Sequence, residues 1–418
     1  MGYQTGLSGL QGAADDLNVI GNNIANANTV GFKSGEAVFS DLYANSIYGA
    51  QGNEVGLGVD MTSVEQDFST STFTTNDNPY DLAINGNGFF VVSNSGGGLA
   101  YTRDGQFEKN SDNVITTASG MPLMGYAVNA NGATDTSQLV PMSLANYQSM
   151  PPQATSSVAW KFNLDSSDQP PTVTPFDPTN SSSYNYSSSV SVYDSEGDSH
   201  QLNIYFVASG TPGQWTAYLG SGSSSTSVGT GTGAGASFVS LGTIGFNSSG
   251  TLTVPTSGTF SVDMQTTNGS VTPQPVTLNL AGTTGFGLAD TVTGLTPNGY
   301  SAGSLSNFSI GTNGQVTANY SNDQTQVIGQ VALANFNDPN GLLNSSGNLY
   351  EQTSASGVAQ INTPGTDGMG GLLDGEEENS NVDLTSQLVD LITAQRNYQA
   401  NAQTIKTQQT VDQTLLNM

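Results

Sequence analysis

Apolar positions near the start of the chain recur three and four residues apart, at Leu7, Leu10, Ala14, Leu17, Gly21 and Ile24, with Ala13, Ile20 and Ala27 widening the stripe. This is the spacing of one helix face. It returns at the far end through Leu384, Leu388, Leu391, Gln395, Tyr398, Ala402, Ile405, Gln409, Asp412 and Leu416. A seam so narrow asks for a partner helix, and each terminal segment is the obvious candidate for the other. The alternative is two independent surface helices on separate cores. Between the ends the pattern turns to period two, as in DLAINGNGFFVVSN (Asp81 to Asn94), VSVYDSEGDSHQLNIYFV (Val190 to Val207) and TFSVDM (Thr259 to Met264), each bounded by turn residues. PPQATSS (Pro151 to Ser157) and TGLTPNGYSAG (Thr293 to Gly303) read as the two necks of an inserted β domain, and Ser221 to Ser237 reads as a flexible Gly/Ser loop. The expected fold is therefore α+β, mainly β. Residues 1–30 and 380–418 pair as a coiled-coil-like helical seam, 31–78 and 366–379 connect as extended segments, 79–147 and 297–365 form an inner β domain, and 148–296 form an inserted outer one.

One stretch resists its helical setting. NNIANANTVGFK, from Asn22 to Lys33, places Asn22, Asn23, Asn26 and Asn28 within seven residues, although asparagine amides compete with the backbone for hydrogen bonds. Something must compensate. Asn28 and Gly31 suit a helix end, since both tolerate the left-handed region.

Composition narrows the function. Six Lys and Arg stand against thirty-three Asp and Glu, a net charge of −27, so nucleic acid is excluded as a partner and anionic membranes are disfavoured. Residues 1–30 hold only Asp15 and Asp16, and residues 380–418 hold three Asp against Arg396 and Lys406. Nearly neutral ends around an acidic middle fit ends that are buried together. Cysteine is absent, no apolar run reaches the roughly 18 residues of a membrane helix, and the first cation is Lys33, so no membrane insertion and no cleaved secretory signal is expected. Those signals alone read as cytoplasmic.

Catalytic chemistry is hard to assemble. The GxSxG match at Gly299 to Gly303 lacks a following histidine, because the sole histidine, His200, lies upstream. The acidic turn Asp194 to Asp198 puts Ser199 and Tyr205 where an EF-hand needs glycine and glutamate. Glu376, Glu377 and Glu378 precede the C-terminal helix and suit its dipole, with Ser380 or Asp383 as N-cap. No catalytic, cofactor-binding or metal-ligating residue is expected.

The residues also carry a resemblance. SGLQGAADDLNVIGNNIANANTVGFKSGEAVFSDLY, then DLAINGNGFFVVSN with YTRDGQFEKNSDNVITTASGMPLMGY, and finally SNVDLTSQLVDLITAQRNYQANAQTIKTQ, taken in this order, are similar to the bacterial flagellar rod and hook axial proteins. The large insert, with VYDSEGDSHQLNIYFV, looks like that of hook subunits, as does YSNDQTQVIGQVALANFNDPNGL. Glu377 and Gln387 depart from the family's habit. The resemblance implies a structural subunit, not an enzyme, that is exported through the flagellar type III apparatus. It would polymerise with copies of itself into a flexible curved tube, a universal joint carrying torque from rod to filament outside the cell. Rod proteins, a hook cap and hook–filament junction proteins would be its partners. A distal rod protein is the nearest alternative, and a secreted acidic β-rich adhesin or hydrolase a more distant one. The residues expected to carry assembly are Leu7, Leu10, Leu17, Asn22, Asn23, Ile24, Asn26, Leu384, Leu388, Leu391, Tyr398 and Ile405, with Asn22 and Asn26 bonding neighbouring subunits. Phe39 and Tyr43, read as one helical turn apart, are a possible export signal.

Overall fold

A computed structural model describes residues 2–42, 56–94, 96–129, 132–222, 225–229 and 237–417. Its contacts divide it into two compact units. The first takes in 1–147, 307–319 and 325–418, and the second takes in 148–306 and 320–324.

The first unit opens with helix α1, Gly2–Ala25, and closes with helix α2, Leu384–Leu416. α1 ends at Ala25, and after a run of turns the chain redirects at Gly31, whose positive φ of 69° lies in the left-handed region. Strands β1 (Gly35–Leu42) and β2 (Gly58–Gln66) then pair antiparallel from Gly35 opposite Gln66 to Leu42 opposite Gly58, with a bulge at Val38/Phe39. Phe39 therefore lies on a strand. The expectation of a helical turn from Phe39 to Tyr43 fails, because pairing with a distant segment overrides local spacing; Tyr43 lies outside the described residues. Strand β3 (Phe73–Thr75) pairs with Glu376–Glu378, and β4 (Leu82–Asn85) with Gly371–Asp374. The segments on either side of the helices are thus tied to each other strand by strand.

Strands β5 (Phe89–Ser93) and β6 (Leu99–Thr102) sit at the centre of a six-stranded sheet whose order is Leu343–Ser345, Leu349–Glu351, β6, β5, Leu333–Asn335, Gln360–Asn362. Residues Phe89 to Val92 are all buried, so the alternation expected for this stretch gives way to a strand covered on both faces. Phe89 packs edge-on against Phe68, Phe336 and Tyr350, with centroids 5.3–5.8 Å apart.

The second unit is a sandwich of two five-stranded sheets. One runs Thr226–Gly229, Thr259–Thr266, Gln274–Asn279, Ser157–Asn163, Thr291–Pro297, and the other Tyr186–Tyr193, Ser199–Ala208, Gln214–Ser221, Phe238–Phe246, Leu252–Val254. Here period two holds: Leu202, Ile204 and Phe206 point inward to meet Trp160, Phe162, Met264 and Leu278 of the facing sheet. The stretch expected to be a flexible loop contributes the strand Thr226–Gly229, because Val228 fills the core and the backbone pairs with Thr259–Thr266. The two necks pair with each other as well. Gln153 bridges Tyr300, and Asn298 Oδ1 accepts from the N–H groups of Ser156 and Ser157 at 3.0 and 2.9 Å.

Candidate assembly surface

Helices α1 and α2 run antiparallel, with Asn23 opposite Gln387, Gly9 opposite Asn401 and Gly6 opposite Ile405. Their pairing is the one the periodicity predicts, but its line is different. The face of α1 that packs is Gly6, Gly9, Gly12, Ala13, Ile20 and Asn23, about a hundred degrees around the helix from the leucine stripe. A Cβ on Gly6 would sit 3.1 Å from Ile405 Cγ1, and one on Gly9 would sit 2.8 Å from Asn401 Oδ1. Glycines here let the two axes approach. The leucine seam expected within the chain is therefore corrected. Leu7, Leu384 and Leu388 are exposed, Tyr398 is 38 % exposed, and Leu10, Leu17, Ile24, Leu391 and Ile405 are only half-buried.

Asn23 explains the asparagine cluster in part. It is buried, its Nδ2 donates to Gly35 O (2.8 Å) and to Gln387 Oε1 (3.0 Å), and its Oδ1 accepts from Gly35 N (2.9 Å). One amide thus joins α1, β1 and α2 without introducing charge. Asn26 Nδ2 donates to Asn22 O and Oδ1 at 2.9 and 3.1 Å, and Thr29 Oγ1 donates to Asn26 Oδ1, so these two asparagines close the helix end locally. Phe39, 38 % exposed, lays its ring over Gly12.

Beyond the line that faces α1, helix α2 has little cover. Ala394 is its only buried side chain among the described residues, while Leu388, Val389 and Ile392 are at least half exposed. Several of its threonines bond within the helix. Thr393, Thr404, Thr407, Thr410 and Thr414 each donate their hydroxyl to the carbonyl four residues back, at 2.7–3.0 Å. On a helical wheel they share about a third of the circumference, away from α1. Their methyl groups point outward beside the exposed Arg396 and Gln403, so this face mixes apolar and polar groups.

A cleft of about 710 Å³ opens between α1, α2 and the β1–β2 hairpin, with Asp16, Glu36, Glu65 and Asp390 among its lining residues. Burial first, then the charges of Asp390 and Glu36, hold the Asp16 carboxyl above its ordinary range.

Sequence reasoning missed the most deeply buried charges. Glu378 is not a dipole partner for α2; it lies in a strand and is 1 % exposed, while Glu376 and Glu377 in the same strand are half-buried. The cap is Asp383, whose Oδ1 accepts from Thr385 N and Ser386 N, whereas Ser380 is not the cap. Lys33 Nζ donates to Glu378 Oε1 and to Ser69 O, both at 2.7 Å, and Arg103 Nη1 lies 3.5 Å from Glu378 Oε2. Burial pulls the Lys33 and Arg103 pKa values down, and Glu378 opposes both shifts. Only the GFK tripeptide, a cation just past a helix end, hinted at this.

The sole histidine is also engaged. His200 is buried between Thr226 Oγ1 (2.6 Å from Nδ1) and Asp194 Oδ2 (2.9 Å from Nε2). Burial would raise the Asp194 pKa, but hydrogen bonds from His200, Asn268 and the N–H groups of Asp198 and Glu196 outweigh it and hold the carboxyl well below the carboxylate range. The carboxylate is consumed by structural bonds that pin the Thr226–Gly229 strand to the hairpin turn. No group of three or more metal-ligating side chains occurs among the described residues.

Comparison with known proteins places this geometry. Four family models match in order along the chain: flagella basal body rod protein over 4–33, flagellar hook protein FlgE/F/G D1 domain over 83–153, flagellar basal body protein FlaE D2 domain over 163–300, and flagellar basal body rod FlgEFG protein C-terminal over 373–418. Among curated relatives, the flagellar hook protein FlgE of Escherichia coli (strain K12) is 40% identical over 432 residues and that of Salmonella typhimurium 39% over 426, each covering 100% of both chains. The flagellar hook protein FlgE of Treponema pallidum is 34% identical, covering 99% of this chain and 98% of its own. With paired terminal helices, a β-rich body and identity sustained end to end, the chain belongs to the flagellar hook protein FlgE family.

Proposed function

We propose that the chain is the repeating subunit of a bacterial flagellar hook, polymerising into a flexible curved tube that transmits torque from rod to filament. Family membership supports the structural role. The observation that carries polymerisation is α2: a long helix that leaves Leu384, Leu388, Val389 and Ile392 exposed and has Ala394 as its only buried side chain among the described residues. Copies of the same chain are the natural cover, with α1 and α2 nearest the tube axis and Leu7, Leu10, Leu17, Ile24, Leu384 and Leu388 at subunit contacts. Residues 79–147 with 297–365 and residues 148–296 supply the two β domains that the subunit carries besides its helices. In the same reading the subunit leaves the cell through the flagellar type III apparatus and meets rod, cap and junction proteins outside it, and Phe39 contributes to export.

The test uses Leu388→Asp. Leu388 is half exposed in the single chain, so an acid there is tolerated by the monomer, but in a subunit contact it becomes a buried unpaired charge worth several kcal/mol per copy. The variant is expected to keep the wild-type circular dichroism and melting transition while negative-stain microscopy shows no tubes. Tubes of normal length from Leu388→Asp overturn the proposed contact surface.

A further inference from the structure

Residues in the last turn of α1 and just past it find many of their partners more than three hundred positions downstream. Asn23 Nδ2 donates to Gln387 Oε1 (3.0 Å), Gly31 N to Glu378 O (2.8 Å), Lys33 Nζ to Glu378 Oε1 (2.7 Å) and Ser34 N to Asn381 Oδ1 (2.7 Å). The segment before β3 depends on the same residues, since Ser71 N donates to Glu378 Oε1 (3.0 Å) and Asn381 Nδ2 to Asp67 O (2.8 Å). Gly31 also packs so closely on Arg103 that a Cβ would meet its carbonyl at 2.6 Å.

At the centre stand two cations and one acid, Lys33, Arg103 and Glu378, with side chains 0, 2 and 1 % exposed. Arg103 has further support from Gly86 O (2.9 Å from Nη2) and from the Phe89 ring, 5.4 Å away. Among the described residues, Lys33 has one further hydrogen bond besides the acid, to the Ser69 carbonyl, and the weaker attraction of Asp67. With Glu378 absent, closing this site would bury two like charges with only the weaker influence of Asp67 on Lys33 to offset them.

We propose that the Lys33–Glu378–Arg103 cluster is a completion latch: the segment 26–42 closes onto the β body only once residues 376–387 are in place. A chain lacking its C-terminal part then keeps this segment open and cannot present an ordered α1 and β1–β2 hairpin. The consequence for assembly rests on the hook-subunit reading; the latch itself is a property of the single chain.

Hydrogen exchange on the full-length monomer tests it. In Glu378→Gln, amides of 26–42 and 67–75 exchange at least ~100-fold faster than in the wild type, while the strands Ser199–Ala208 and Gln214–Ser221 are unchanged. Lys33→Met alone stays slow, because Arg103 retains its acid. The double variant Lys33→Met/Glu378→Gln regains at least ~10-fold of the lost protection, which general loosening of the site would not produce. Wild-type exchange in Glu378→Gln, or a double variant no slower than the single one, overturns the latch. Failure of the wild-type chain to form tubes would overturn the hook-subunit reading and leave the exchange result standing.

Discussion

Asn23 shows what a single amide does at a three-way junction. It satisfies both backbone groups of Gly35 and reaches Gln387 from a buried position. Asn23→Ala should cost about 2–3 kcal/mol, since it removes these bonds and leaves Gly35 N–H without its acceptor; urea unfolding followed by the helical signal measures it. That four clustered asparagines need compensation is legible in the sequence. That one of them finds it at Gln387 is not, because nothing local encodes a partner 364 positions away. The glutamate run before α2 was misread for a related reason: charge beside a helix start suggests a dipole contact, and only the strand pairing with β3 reveals that Glu378 points inward. Asp16 supplies a pH test. Its carboxyl binds its proton more tightly in the folded chain than in the unfolded one, so its contribution to stability is full below the ordinary carboxylate value near 3.8 and is lost as pH rises through the raised value. In Asp16→Asn this part of the pH dependence of helix packing should vanish. A profile identical to the wild type would show that Asp16 is not responsible.

At the level of elements, the helical period of both termini and the period-two strands of the second unit were readable, and they are there. The packing line was not. Leucines at heptad spacing draw the eye to a seam, whereas the chain packs on its glycines and leaves several leucines outside. Periodicity reports which faces are apolar, not which of two available faces meets the nearer partner. The exposed state of α2 makes a concrete expectation for trypsin. Lys33 and Arg103 are buried, and Lys109 and Lys161 belong to paired strands, so Arg396 and Lys406 on α2 are the accessible sites. Limited digestion of the monomer should cut first after these two residues, and assembly should protect them. First cuts after Lys109 or Lys161 would mean that α2 is firmly held in the single chain.

For the whole molecule, composition pointed to a β-rich body with an insert, and the sheets bear out the β content. It gave less sense of the second unit's interior. Gly, Ser and Thr dominate the tally there, yet twenty buried aromatic and aliphatic side chains converge on one core through alternation, which a count cannot show. Replacing residues 154–299 with a short Gly/Ser linker should leave secretion and tube formation largely intact, because the helices, the β1–β2 hairpin and the latch all lie elsewhere. Curvature and swimming should change, since the removed surface is acidic and suited to small, wet, easily exchanged contacts. Normally curved tubes and normal swimming from this variant would place the control of bending in the helices.

The necks make that replacement simple, and they permit more. Because Gln153 and Tyr300 are already bridged, the chain leaves and re-enters at one doorway, and whatever lies beyond it is topologically a passenger. Any compact fold whose two ends lie a strand spacing apart could be carried there. A tube built from such chains would display it at every lattice point, an ordered array whose pitch is set by parts of the protein the guest never touches.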